Sequence, residues 1–133
     1  PLPEPQAFFL VDTGLKRSTG PLVEAFLARC EEEGFRQNAL RELITVSDVA
    51  LDTWLQGRFD DLFDTFHALS TLQRQHLNFL IPEAFLPLWD QMLTTPHTRL
   101  KLCGAGGGGF LLGYSRNKST LSTTLHTHPF FIL

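Results

Sequence analysis

The chain has 133 residues, 43% of them hydrophobic and 19% charged, and a formal net charge of −3. That length suits one domain with a genuine core, the composition is not that of a disordered chain, and the acidic balance argues against a nucleic-acid partner, since phosphate-backbone binders carry a basic face. No apolar run approaches the ~20 residues of a membrane span, and no secretory signal opens the chain. Cys30 and Cys103 lie far apart, outside any CxxC or Cys/His spacing, which argues against a disulfide framework or a zinc site. A reduced, cytoplasmic protein is the expectation.

Pro1-Leu2-Pro3-Glu4-Pro5 opens the chain without an initiator Met, and alternating prolines favour extended, linker-like backbone. Residues 1–6 therefore read as the remnant of an interdomain linker, and 1–133 as a single domain cut from a longer protein. Ala7 to Val11 is a short apolar run that predicts a buried strand, ended by the turn-prone Asp12-Thr13-Gly14. Pro21 suits the first turn of a helix that carries Leu22, Val23, Phe26, Leu27 and Cys30 on one face, with Gly34 as its stop. A second helix is predicted over Asn38 to Leu55, with Leu40, Leu43, Ile44, Leu51, Trp54 and Leu55 as its apolar side and Gly57 as its cap. A third runs from about Asp60 to Leu80, its apolar residues recurring at three- and four-residue steps. Pro82 opens a short fourth that carries Phe85, Leu86, Trp89, Met92 and Leu93.

After the fourth helix the period changes. Thr98 to Leu102 and Phe110 to Tyr114 read as strands, Ser119 to Leu125 as a weak helix and Pro129 to Leu133 as a final strand. Strand, helices, hairpin, short helix and strand in that order predict an α+β domain, a small antiparallel sheet with helices packed on one face. Trp54 and Trp89 read as core and His67 and His76 as structural. Asp60, Asp61 and Asp64 form an acidic helix start, and Glu31 to Glu33 a solvated helix end. His126 and His128 lack a third ligand and read as surface residues, so no metal site is expected.

The hairpin between the two later strands holds Gly104, Gly106, Gly107, Gly108 and Gly109, five of the chain's ten glycines within six positions. Glycine permits φ > 0 and close approach of backbone, at a cost in conformational entropy. Consecutive amides can also cradle an anion. Gly104, Gly106 and Gly109 satisfy GxGxxG, but a dinucleotide fingerprint needs a helix next, and Phe110-Leu111-Leu112-Gly113-Tyr114 is strand-like. A Walker A loop fails because Phe110 stands where its lysine belongs. A protein-kinase loop fails because only 24 residues follow Gly109. A tight strand connection without a ligand stays open at this point.

Lys101-Leu102-Cys103-Gly104-Ala105-Gly106-Gly107-Gly108-Gly109 resembles the C-terminal motif of the GHMP family of small-molecule kinases, roughly K-[LI]-x-G-A/S-G-G-G-G. Asp12-Thr13-Gly14-Leu15-Lys16-Arg17-Ser18-Thr19 looks like the strand and turn that open the C-terminal domain of mevalonate kinases, where an R-x-T element follows an N/D-T-x segment. The similarity covers nearly the whole chain. It implies a GHMP C-terminal domain with a ferredoxin-like core. It also implies an ATP-dependent parent kinase that transfers the γ-phosphoryl group to a primary hydroxyl, most similarly that of mevalonate.

By the same resemblance, Gly104, Ala105, Gly106, Gly107, Gly108 and Gly109 would support the nucleotide site, and Arg17 and Thr19 would face the acceptor. The chemistry suits that role: a guanidinium binds carboxylate bidentately, and a threonine hydroxyl hydrogen-bonds one. Without the acceptor, Arg17 is a solvated charge and Thr19 a helix cap. The family's P-x-x-x-G-L-G-S-S loop, catalytic Asp and magnesium ligands have no counterpart here, so no catalytic residue is expected in this chain. ATP and Mg²⁺ would be held mainly by an N-terminal half of the same kinase, which with the small-molecule acceptor is the expected partner. An isolated domain would expose the docking face of that half and pair through it as a homodimer. Sugar, homoserine and phosphomevalonate kinases share the glycine motif and are the nearest alternatives. A free-standing α+β module that binds a ligand or a partner is the alternative from another class.

Overall fold

A computed structural model describes residues 2–16, 18–104 and 106–133 of the chain. The apolar run near the start forms β1 (Ala7–Asp12), which becomes a central strand because its side chains are apolar toward both faces. β2 (Thr98–Leu102), β3 (Phe110–Ser115) and β4 (Phe130–Ile132) complete an antiparallel sheet in the order β2-β3-β1-β4. Helices α1 (Thr19–Cys30), α2 (Arg41–Leu55), α3 (Leu62–His76) and α4 (Leu86–Thr94) lie between β1 and β2, and α5 (Leu121–Thr124) lies between β3 and β4. This is the βαββαβ plan of a ferredoxin-like core within an α+β domain. The strands and the α3 and α4 positions agree with the sequence reading to within a few residues. The second helix differs in its entry: a π-helical turn over Phe35–Leu40 leads directly into α2.

Register sorts the strand residues into two faces. Phe9, Gly113 and Leu100 share a row, as do Val11, Leu111 and Leu102. That face meets Leu88, Trp89 and Met92 of α4, together with Leu80, Ile81, Phe85, Leu121 and Leu125, as the main core. The Trp89 indole N–H donates to Ser70 O at 3.2 Å and so ties α4 to α3 without leaving a buried donor unpaired. On the opposite face Tyr114 packs with Leu62, Phe63 and Phe66 at the start of α3, and Phe8 lies against them. Gly113 has a specific duty here. The Phe9 ring lies directly over it, and a Cβ at that position would overlap the ring.

Polar groups close what the apolar ones leave open. β2 is an edge strand, and Gln73 of α3 covers its edge by accepting the Leu102 N–H at 2.8 Å. Arg99 is 5% exposed and has no carboxylate partner among the described residues. Its Nη1 donates to the carbonyls of Met92, Thr95 and Thr98 at 2.6 Å each, at and just beyond the C-terminus of α4, where the helix dipole favours a cation. Its Nε donates to His67 Nδ1 at 2.9 Å, and its guanidinium lies 4.6 Å from the centroid of the Phe63 ring. Burial pushes the Arg99 pKa down, yet an arginine starts so high that it stays charged. The structural role expected for His67 is this contact.

The apolar sides expected of the first two helices are not where the core lies. α1 has no buried residue, and Val23 and Leu27 are exposed. α2 buries Leu43, Ala50 and Thr53, while Ile44, Leu51, Trp54 and Leu55 are exposed. Trp89 is 0% exposed and Trp54 is 46% exposed, so only one of the two tryptophans is core. The physical reason is placement: α2 packs on α3 rather than on the sheet, and α1 has only its Leu22–Phe26 edge against the core. At the start of the chain, Leu2 packs on the Tyr114 cluster. Pro5 O accepts the Lys118 N–H at 2.8 Å, and Gln6 Oε1 accepts the Tyr114 hydroxyl at 2.9 Å. No helix among the described residues is long and apolar enough to cross a membrane.

Two consequences can be measured. Gly113→Ala should lower the unfolding free energy by about 3 kcal/mol, and replacing Phe9 with Leu in the same chain should return part of that loss in urea unfolding. Equal stability of Gly113→Ala and the unaltered chain would contradict the ring-over-glycine packing. Burial pushes the Tyr114 pKa up to about 12, against ~10 in an unfolded chain. The folded state keeps that proton where the unfolded state has lost it, so its contribution is complete below pH ~10 and is lost between ~10 and ~12. Tyr114→Phe should flatten the fall in stability over that interval, read as the difference between the two pH profiles.

Candidate functional site

β1 ends in a tight turn. The Asp12 carboxylate accepts the Gly14 N–H at 2.9 Å, and Gly14 has φ +67°. Thr13 is buried, and both its N–H (2.9 Å) and its hydroxyl (2.8 Å) donate to Gly109 O. Gly109 returns its own N–H to Leu15 O at 2.9 Å. The loop after β1 is thus fastened to the last glycine of the hairpin, 96 positions away in sequence. The two motifs singled out in the sequence meet at Thr13, Leu15 and Gly109.

The glycine loop is held from inside the protein. Gly107 N–H donates to Leu80 O, just beyond α3, at 2.6 Å. A Cβ on Gly106 would overlap Leu80 O, and one on Gly107 would stand 2.5 Å from Leu22 Cδ1 of α1. Gly104, Gly106, Gly107 and Gly109 all have positive φ, the region that disfavours any side chain. Over Gly14 and Gly109 there is open space. The Gly107 and Gly109 amides are tied to Leu80 and Leu15 and so are not offered to an anion. The form of the loop is that of a supporting wall, with its closest packing turned toward α1 and the end of α3.

Of the other residues named from the sequence, Thr19 opens α1 and is exposed, preceded at the N-cap by Ser18, whose side chain makes no capping bond. The expectation for Arg17 and for Ala105 falls outside the described residues. Gly108 is buried within the loop. Lys101, just before the run, reaches over the β2 edge and donates from Nζ to Leu102 O at 2.7 Å. Burial pushes its pKa down, against an opposing influence of Cys103. His126 Nδ1 lies 3.0 Å from Thr123 O, and His128 packs against Phe85. Among the described residues, no three His, Cys, Asp or Glu side chains converge as metal ligands. Sequence reasoning missed Thr13. Its position after Asp12 at the strand end was the available signal, but its partner lies in another part of the chain.

No protein-family model matches this chain, and no curated protein matches it in sequence. Solved structures do match. The Lin0012 protein from Listeria innocua aligns over 99% of this chain with a TM-score of 0.74 and 18% identity. L. major mevalonate kinase in complex with R-mevalonate aligns over 94% with a TM-score of 0.71 and 16% identity. At these identities the likeness is one of fold alone: the chain has the fold of a part of the mevalonate kinase chain. This chain spans 41% and 38% of the lengths of those two chains.

The clamp can be graded by substitution. Gly109→Ala meets no neighbour and should cost only its left-handed backbone, about 1 kcal/mol. Gly106→Ala adds a clash with a backbone oxygen and should cost at least twice as much. Thr13→Val removes the hydroxyl's bond to Gly109 O and the one it accepts from the Leu15 N–H, and should cost about 1 to 2 kcal/mol. Denaturant midpoints in the order Gly109→Ala above Gly106→Ala check this, and the reverse order would contradict the packing described.

Proposed function

We propose that this chain is the C-terminal domain of a GHMP-type kinase that transfers the γ-phosphoryl group of ATP to the primary hydroxyl of mevalonate in the cytoplasm. The observation that carries the reading is the fold match over 94% of the chain to a mevalonate kinase, combined with the joining of both sequence motifs at one site. In this reading the chain is one half of an active site. The wall formed by Gly104 to Gly109 supports a phosphate loop contributed by the N-terminal half of the same kinase, which also holds most of the ATP and Mg²⁺. Arg17 and Thr19 face the acceptor, the guanidinium toward its carboxylate and the hydroxyl beside it.

The chemistry expected of these residues is binding and orientation. Phosphoryl transfer rests on positioning and on neutralisation of charge by metal and cationic groups, and the described residues offer no converging set of metal ligands. The inward-tied Gly107 amide fits a loop that supports a nucleotide site from behind. The isolated chain should therefore show no ATP turnover.

Joined to an N-terminal half that carries P-x-x-x-G-L-G-S-S, the chain should release ADP from ATP only when R-mevalonate is added. Arg17→Ala should lower kcat/KM for mevalonate by roughly 10- to 150-fold, the worth of a hydrogen bond to a charged group, with Thr19→Ala losing less. Turnover with a sugar, homoserine or phosphomevalonate alone would replace the acceptor while leaving the kinase reading intact. Absence of turnover with every hydroxyl acceptor would overturn the kinase reading itself.

A further inference from the structure

The exposed sides of α1 and α2 do not form a flat surface. With α3 and the Phe8 face of the sheet they enclose a cavity of about 730 Å³, within the range of small-ligand sites. Its lining side chains are apolar except for those of Ser47, Gln73 and Lys101, and none of them is a carboxylate. The two long polar side chains are side by side. Lys101 Nζ donates to Leu102 O at 2.7 Å, and Gln73 Oε1 accepts from Leu102 N at 2.8 Å, so an ammonium and a primary amide meet on one residue of the β2 edge. The Gln73 NH₂ group and two ammonium protons remain as donors.

Lys101 has no acidic partner among the described residues, and burial holds its pKa below the ordinary value. Cys103 opposes that shift, and a bound anion would further relieve the cost of a cation in an apolar wall. The far end of the cavity is aromatic. Phe8 lies 5.8 Å from Phe66 and 6.3 Å from Trp54, ring centre to ring centre. Phe66 and Gln73 are seven residues apart on α3, roughly 10 Å along the helix. The cavity therefore has a hydrogen-bonding, cationic end and an apolar end separated by two helical turns.

We propose that this cavity binds a medium-chain fatty carboxylate, its head on Lys101 and Gln73 and its chain directed toward Phe66 and Trp54. The proposal does not require the kinase reading: its carrying residues, Lys101 and Gln73, have no role there, although Gly104 of the positive-φ loop also borders the cavity. Trp54 lines the cavity and is half exposed, whereas Trp89 is fully buried, so the fluorescence of the unaltered chain reports occupancy through Trp54.

Titration with decanoate should give a saturable change in emission that is lost in Trp54→Phe. 1-Decanol, equal in chain but without charge, should bind at least tenfold more weakly. Lys101→Met should bring decanoate to the affinity of decanol and leave decanol unchanged. If Lys101→Met does not fold, the contrast between decanoate and decanol on the unaltered chain carries the test. Equal affinities for the two would overturn the proposal in favour of an unspecific apolar groove. No saturable change, with sedimentation showing a dimer, would overturn it in favour of a second copy covering the cavity.

Discussion

The pairing of β1 with β3 is the interaction on which everything else rests. It joins the first strand to one that follows the whole helical segment, in a six-residue register from Ala7–Ser115 to Asp12–Phe110. Its geometry is set by the Phe9 ring over Gly113 at the centre and by the double donation of Thr13 to Gly109 O at one end. Such a pairing closes a very long loop before it gains anything, which makes it dependent on favourable contacts formed at once. The main core supplies them, because Phe9 and Val11 enter it along with Leu111 and both apolar residues of β2 on that face. The same pairing brings the Asp12–Thr19 loop to the glycine run, so core and candidate site have one origin.

The helical layer is held by polar contacts placed where apolar ones cannot serve. Arg99 gathers three carbonyls at the end of α4 and stacks on Phe63, while His67 presents an acceptor nitrogen to it. Gln73 takes an edge N–H of β2. A buried charge without an acid is tolerable only when its donors are matched with acceptors and aromatic faces, and Arg99 meets both conditions. These bonds orient α3 against the sheet edge, and α3 in turn carries α2 outward, away from the sheet. The cavity beside Lys101 is a product of that offset.

The glycines are required by neighbours within the chain (Leu80 at Gly106, Leu22 at Gly107) and by positive φ, so the loop is preorganised before any ligand arrives. The open space over Gly14 and Gly109 marks the outward side of the same loop. α1 and α2 keep Val23, Leu27, Ile44, Leu51 and Leu55 exposed, more apolar surface than scattered side chains account for. The domain thus presents outward a rigid backbone wall at the glycine loop and, bordered by that loop at Gly104, an apolar hollow over the sheet.

Much of the fold was legible without coordinates, for local reasons. The continuous apolar run of Ala7 to Val11, the alternation in Thr98 to Leu102, the period of 3.6 in α3 and α4, and turn residues at Asp12 to Gly14 all act over a few positions. The resemblance carried by Lys101 to Gly109 was legible because glycines in that number answer to a backbone need. What the sequence could not separate was a helix face turned to a core from one turned to open space. Trp54 and Trp89 have the same kind of apolar neighbours, and only the seating of α2 on α3 and of α4 on the sheet tells them apart. Thr13 as a clamp, Arg99 as a capped buried charge and Lys101 beside Gln73 depend on partners up to 96 residues away. Sequence by itself determined which segments are strands and helices and that the loop must be glycine. Tertiary structure alone decided which apolar faces are buried and which polar groups meet, because burial and hydrogen-bond partnership belong to the assembled sheet and not to any single segment.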